Sequence, residues 1–85
     1  MKKIGIIGAG TMGSGIAQVS AQVGFEVLLF DTSFEAAKNA LQKIAFLLSR
    51  KVEKGELTSV QVSTIVGLIS PVNSITEFST CDLII

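Results

Sequence analysis

The sequence predicts an α/β fold, a parallel sheet with flanking helices and about four strands. Three observations predict it. A short β-branched run, Ile4 to Ile7, breaks into glycines spaced Gly8-x-Gly10-x-x-Gly13 and then into a helical apolar pattern. A second apolar run, Phe25 to Phe30, follows and ends on an acidic residue, Asp31. Two further short apolar runs, at Leu68 to Ser70 and Asp82 to Ile85, lie beyond a long amphipathic stretch. Strands alternating with helices give parallel sheets, and the arrangement is Rossmann-like, with the expected strand order 3-2-1-4.

Each element has a local cause. The helix after the glycines runs from Thr11 to Val23. Ile16, Val19 and Val23 form its apolar stripe, Gln18 and Gln22 face water, and Gly24 supplies the C-cap. Phe25 to Phe30 is almost continuously apolar, as suits a strand buried on both faces. Thr32 with Glu35 offers a capping box for the next helix, whose stripe is Phe34, Ala37, Leu41, Ile44, Leu48 and Val52. Phe46 and Leu47 widen that stripe, either as core or as a surface for another domain. A turn at Glu53 to Glu56 precedes a second capping box, Thr58 with Gln61, and a short helix ending near Gly67. Leu68 to Ser70 forms a brief third strand before Pro71, Ser74 and Glu77 cap a single helical turn, and Asp82 to Ile85 begins a buried fourth strand. That last strand meets no turn or polar tail, so residues 1–85 read as one partial domain, the N-terminal portion of the fold, with no second domain present.

Composition excludes several classes of function. Seven basic and seven acidic residues leave no net charge and no basic patch, so no nucleic-acid partner is expected. The chain has no histidine and one cysteine, Cys81, which leaves no metal site, no internal disulfide and no histidine base. Met1 to Ala21 superficially resembles a signal peptide, but its apolar segment holds five glycines spaced like a phosphate loop. No run approaches the roughly 18 apolar residues of a membrane span, and a cytoplasmic protein is expected.

The glycine spacing and Asp31 together point to a dinucleotide. In such a turn one glycine permits the sharp bend, one lets backbone approach a pyrophosphate, and one lets the helix pack close to the strand. The opening helix directs free N–H groups and partial positive charge at phosphate. Asp31 follows Gly13 by eighteen positions, at a strand end where a carboxylate can accept both ribose hydroxyls and repel a 2′-phosphate. With Thr32 and Ser33 rather than an arginine directly after it, the expected cofactor is NAD rather than NADP. A mononucleotide P-loop is excluded, because no lysine followed by Ser or Thr comes after the glycines.

Residues 3–31, from the strand through Gly8, Gly10, Gly13, Gly15 and Gln18 to the run Gly24 to Asp31, resemble the start of the 3-hydroxyacyl-CoA dehydrogenases, particularly the 3-hydroxybutyryl-CoA dehydrogenase type. The likeness extends through Val52 to Thr58, Ile69 to Pro71 and Cys81 to Ile85. That family oxidises the 3-hydroxyl of an acyl-CoA and passes hydride to NAD, in fatty acid or butanoate metabolism. The resemblance implies that Gly8, Gly10, Thr11, Met12 and Gly13 line the pyrophosphate, that Asp31 holds the adenosine ribose, and that Lys54 lies near the CoA phosphates. Leu47 stands where some members carry a polar CoA contact. The family's catalytic histidine and glutamate fall beyond Ile85, so no catalytic residue is expected here and the chain alone is expected to be inactive. A homo-oligomer of the parent through a C-terminal domain is implied as well. Two other readings stay open: a non-catalytic or truncated dinucleotide-binding module, and part of an NAD-dependent dehydrogenase of small β-hydroxyacids.

Overall fold

The structure, a computed structural model, describes residues 2–85. In chain order it contains β1 (Lys3–Ile7), α1 (Thr11–Gln22), β2 (Glu26–Phe30), α2 (Phe34–Glu53), α3 (Ser59–Gly67), β3 (Ile69–Val72), a 3-10 helix (Ile75–Thr80) and β4 (Leu83–Ile84). The four strands form one parallel sheet in the order β3-β2-β1-β4, as expected. Successive strands step outward from β1 to β3, so right-handed crossovers place α1, α2 and α3 on the same face. Ile4 and Ile6 of β1, Val27 and Leu29 of β2 and Ile69 of β3 point into that face. There they meet Ala17, Ala21, Ala37, Ala40, Ile44, Leu48 and Ile65.

The face of α1 that meets the sheet differs from the expected stripe. Its buried residues are Ala17, Ser20 and Ala21, whereas Val19 is 61% and Val23 66% exposed. Small side chains let the helix axis come close to the sheet, and this close approach outweighs the burial of two valines. In α2 the buried residues are Ala37, Ala40, Ile44 and Leu48. Phe34, Phe46 and Leu47 lie at the surface, with the Lys38 ammonium 5.6 Å from the Phe34 ring and the Arg50 guanidinium 6.0 Å from the Phe46 ring. The N-cap of α2 is Ser33, which accepts the Ala36 N–H, and not Thr32. The Thr58–Gln61 capping box forms in both directions.

Among the described residues, the opposite face of the sheet is covered by the 3-10 helix, through Phe78. Its ring lies against Gly5 in the central strand and edge-on to Phe30 at 6.3 Å. β2 is therefore fully buried on its helix face and half-buried on the other. β3 continues through Pro71 rather than stopping before it. It is an edge strand, and the Val27 N–H bonded to the Leu68 carbonyl sets an alternation that turns the Pro71 nitrogen outward. β4 joins β1, with Ile85 N–H donating to the Gly5 carbonyl at 2.8 Å and Ile7 N–H to the Ile85 carbonyl at 2.9 Å. Contrary to expectation it is exposed, Leu83 at 54% and Ile84 at 50%. Lys3 ties the strand starts together: its ammonium pairs with Glu26 at 3.0 Å and donates to the Thr80 hydroxyl, and its N–H donates to the Asp82 carboxylate at 2.8 Å.

A Cβ at Gly5 would lie 2.8 Å from the Phe78 ring. Gly5→Ala is expected to destabilise the fold by about 2 kcal/mol through overpacking, read as a lower urea midpoint. Gly5→Ala combined with Phe78→Leu should recover part of that loss.

Candidate functional site

The glycine turn joins β1 directly to α1. Gly8 has φ +102°, in the left-handed region, and its N–H donates to the Phe30 carbonyl at 2.7 Å, which holds the turn beside the end of β2. Gly10 is the N-cap of α1 in extended geometry, with no side-chain cap. A Cβ on Gly13 would overlap the Gly8 carbonyl oxygen, and backbone cannot yield as a flexible side chain would. The third glycine is therefore required for the helix to start so close to the strand. At Gly8 and Gly10, by contrast, nothing lies within 4 Å of a Cβ, so the bare backbone faces open space.

Among the described residues, the N–H groups of Gly10, Thr11, Met12 and Gly13 meet no protein acceptor; the first helical bond is from Ser14 N–H to the Gly10 carbonyl at 2.8 Å. Four unpaired donors at a helix start, with no acidic residue in the first turn, form a cradle suited to anionic oxygen. The Ser14 hydroxyl donates to the Ala9 carbonyl at 3.1 Å and braces the turn from within. Ile7, Met12, Ile16 and Ile85 give the cradle apolar walls.

Asp31 sits at the carboxyl end of β2, next to this cradle. Its Oδ2 accepts the Ala9 N–H at 2.9 Å, and its Oδ1 accepts the Ser33 N–H at 3.0 Å and the Thr32 hydroxyl at 3.4 Å. The Ala9 N–H, followed by the Ser33 N–H, holds its carboxyl below the ordinary carboxylate range. The structure thus brings Gly8, Gly10, Thr11, Met12, Gly13 and Asp31 to one place. Sequence reasoning missed the Ala9 contact, which spans two strand ends and leaves no local signal.

Lys54 lies elsewhere, as the exposed C-cap of α2. It lines a cleft of 380 Å³ with Gln18, Leu47, Arg50 and Lys51. Gln18 and Leu47 also line the adjoining cleft with Thr11, Ser14 and Lys43, so a groove between α1 and α2 leads from the helix start to these cations. Arg50 and Lys51 were not singled out from the sequence. The heptad-like spacing of Lys43, Leu47, Arg50 and Lys54 on α2 is the signal that finds this face. Burial pushes the Cys81 thiol up, with Lys3 opposing, and no group of potential metal ligands occurs among the described residues. Nor is any helix among them long and apolar enough to cross a membrane.

A parallel sheet in this order, with an open helix N-terminus on the first strand and a carboxylate at the end of the second, defines a dinucleotide-binding domain of the Rossmann type. The chain belongs to the family described as 3-hydroxyacyl-CoA dehydrogenase, NAD binding domain, whose model matches residues 3–85. It is 39% identical over 85 residues to a probable 3-hydroxybutyryl-CoA dehydrogenase of Bacillus subtilis, covering all of this chain and 30% of that protein. It is 38% identical to a 3-hydroxyadipyl-CoA dehydrogenase of Escherichia coli, covering 18% of it. A crystal structure of 3-hydroxybutyryl-CoA dehydrogenase from Escherichia coli superposes with a TM-score of 0.94 at 37% identity, over 98% of this chain and 18% of that one. The chain thus spans less than a third of the length of each of these relatives.

The bonds at Asp31 favour its charged form in the folded chain. The stabilisation they give is complete above the unfolded carboxylate pKa and is lost as pH falls through the lower folded value. Denaturant midpoints measured from neutral pH down into the acid range are expected to fall more steeply for the wild type than for Asp31→Asn.

Proposed function

We propose that these residues bind NAD and that the whole protein transfers hydride between NAD and a 3-hydroxyacyl-CoA of the 3-hydroxybutyryl-CoA class. The observation that carries the reading is the row of unpaired N–H donors from Gly10 to Gly13 beside the Asp31 carboxylate. In this reading Gly8, Gly10, Thr11, Met12 and Gly13 receive the pyrophosphate and Asp31 receives the adenosine ribose. The donor set fits the group: neutral N–H donors for two phosphates, an anionic acceptor for a diol, and bare glycine backbone that a Cβ would otherwise crowd. When bound, NAD supplies the nicotinamide ring that takes the hydride. The 85 residues contain no histidine, so a histidine base for the hydroxyl proton is not among them. A cytoplasmic location accompanies this reading.

The groove between α1 and α2 supports the CoA part. Lys54, with Arg50 and Lys51, offers point charge and a guanidinium fork to the CoA phosphates, and Leu47 and Gln18 line the cleft beside them. A homo-oligomeric parent is the further expectation, through segments outside the described residues.

Titration with NAD followed by amide chemical shifts is expected to give saturable changes at Gly10 and Asp31. NADP should bind roughly tenfold more weakly or worse, because its 2′-phosphate meets the Asp31 charge. Absence of a saturable shift would refute the cofactor assignment. Titration with CoA is expected to move the amides from Leu47 to Lys54. The effect should weaken with salt and diminish in Arg50→Ala and Lys54→Ala; unchanged CoA binding in both variants places the CoA phosphates elsewhere.

A further inference from the structure

Asp31 is already engaged in the free chain. Its Oδ2 holds the Ala9 N–H at 2.9 Å, while its Oδ1 accepts both the Ser33 N–H and the Thr32 hydroxyl. A carboxylate oxygen has about two lone-pair sites, so Oδ2 keeps one for an incoming hydroxyl while Oδ1 has none spare. Ala9 occupies the middle of the glycine turn, between Gly8 at φ +102° and the N-cap Gly10. Neither glycine has a side chain to restrict it, and nothing lies within 4 Å of where one would be. Glycine has the most backbone freedom to lose, so such a turn needs anchors if its donors are to point together. Gly8 N–H on the Phe30 carbonyl anchors the near end. At Ala9 the anchors are the Ser14 hydroxyl on its carbonyl and Asp31 on its N–H, the second reaching across from the end of β2.

We propose that Asp31 is a positioning residue for the pyrophosphate as well as a ligand of the ribose: by holding the Ala9 N–H it fixes the glycine turn in its phosphate-receiving shape before any ligand arrives. What the turn receives rests on the NAD reading above; the fixing of the turn does not. The two effects of Asp31 on a phosphate have opposite sign. As a neighbouring anion it repels the ligand, and removing it should tighten binding. As an anchor it aligns the donors, and removing it should weaken binding. The direction of the change therefore identifies which effect governs. An asparagine separates them further: its one amide oxygen can accept the Ala9 N–H while the charge is gone, at the cost of the Ser33 N–H, which then faces the amide NH2.

The probe is inorganic pyrophosphate, which has no ribose, titrated against the chain with the amide shifts of Gly10 to Gly13 as readout. Asp31→Ala is expected to bind it roughly tenfold more weakly than wild type, and Asp31→Asn more tightly than Asp31→Ala, because the amide oxygen can still hold the Ala9 N–H. Equal or tighter binding by Asp31→Ala overturns the proposal. Hydrogen exchange in the free wild-type chain gives a second measurement that needs no variant: the Ala9 amide should exchange more slowly than the Gly10 amide, and equal rates also overturn it. A parallel NAD titration separates the two readings. Saturation by NAD with pyrophosphate affinity undiminished in Asp31→Ala refutes the anchoring role and leaves the cofactor assignment standing. The expected pyrophosphate pattern without NAD saturation supports the anchor and refutes the assignment.

Discussion

The contact between Gly13 and the Gly8 carbonyl governs the geometry of the first half of the chain. With any side chain at Gly13 the first turn of α1 would be pushed off the end of β1, because the obstacle is backbone and cannot rotate away. The close start has a second requirement further along the helix, met by Ala17, Ser20 and Ala21, which keep the axis near the sheet in its second half. Once α1 is so placed, its first N–H groups lie at the carboxyl edge of the sheet and face outward unpaired. Packing and ligand chemistry thus share one cause. The residue that allows the helix to approach also leaves its donors available.

Much of this was legible in sequence because it is local. The glycine spacing, the β-branched run before it and the acidic residue at the end of the next strand each carry their meaning within a few positions, as does the Thr58–Gln61 capping box. The face of α1 was not legible. Ile16 packs against the core as its periodicity suggests, but Val19 and Val23 do not: periodicity does not report the distance between helix and sheet, and at a short distance alanine and serine win. The cap of α2 was misplaced by one residue for a related reason: Asp31 takes the Thr32 hydroxyl, so Ser33 takes the cap. β3 was cut short at Pro71, since local steric rules do not tell an edge strand from a central one.

The candidate site divides the same way. Its donors follow from one continuous segment, whereas the Asp31 to Ala9 bond and the cations beside Gln18 arise from tertiary packing. Neutral donors at the turn, an anion at the neighbouring strand end and cations at the far end of α2 set up three distinct electrostatic regions on a chain of zero net charge. Such a surface discriminates among the parts of a ligand rather than attracting charge in general.

Pro71 gives the sheet a direction of growth. Its outward nitrogen carries no hydrogen, so the outer edge of β3 lacks a donor where an added strand would need one. The outer edge of β4 has no such block: Ile85 bonds to β1 through both its N–H and its carbonyl, so Ile84 faces outward, and it carries an N–H. An additional strand, from whatever source, is therefore steered to the side of β4. It would lie one strand away from β1 and the glycine turn, so enlargement of this sheet would add structure on the side of the open helix start rather than away from it.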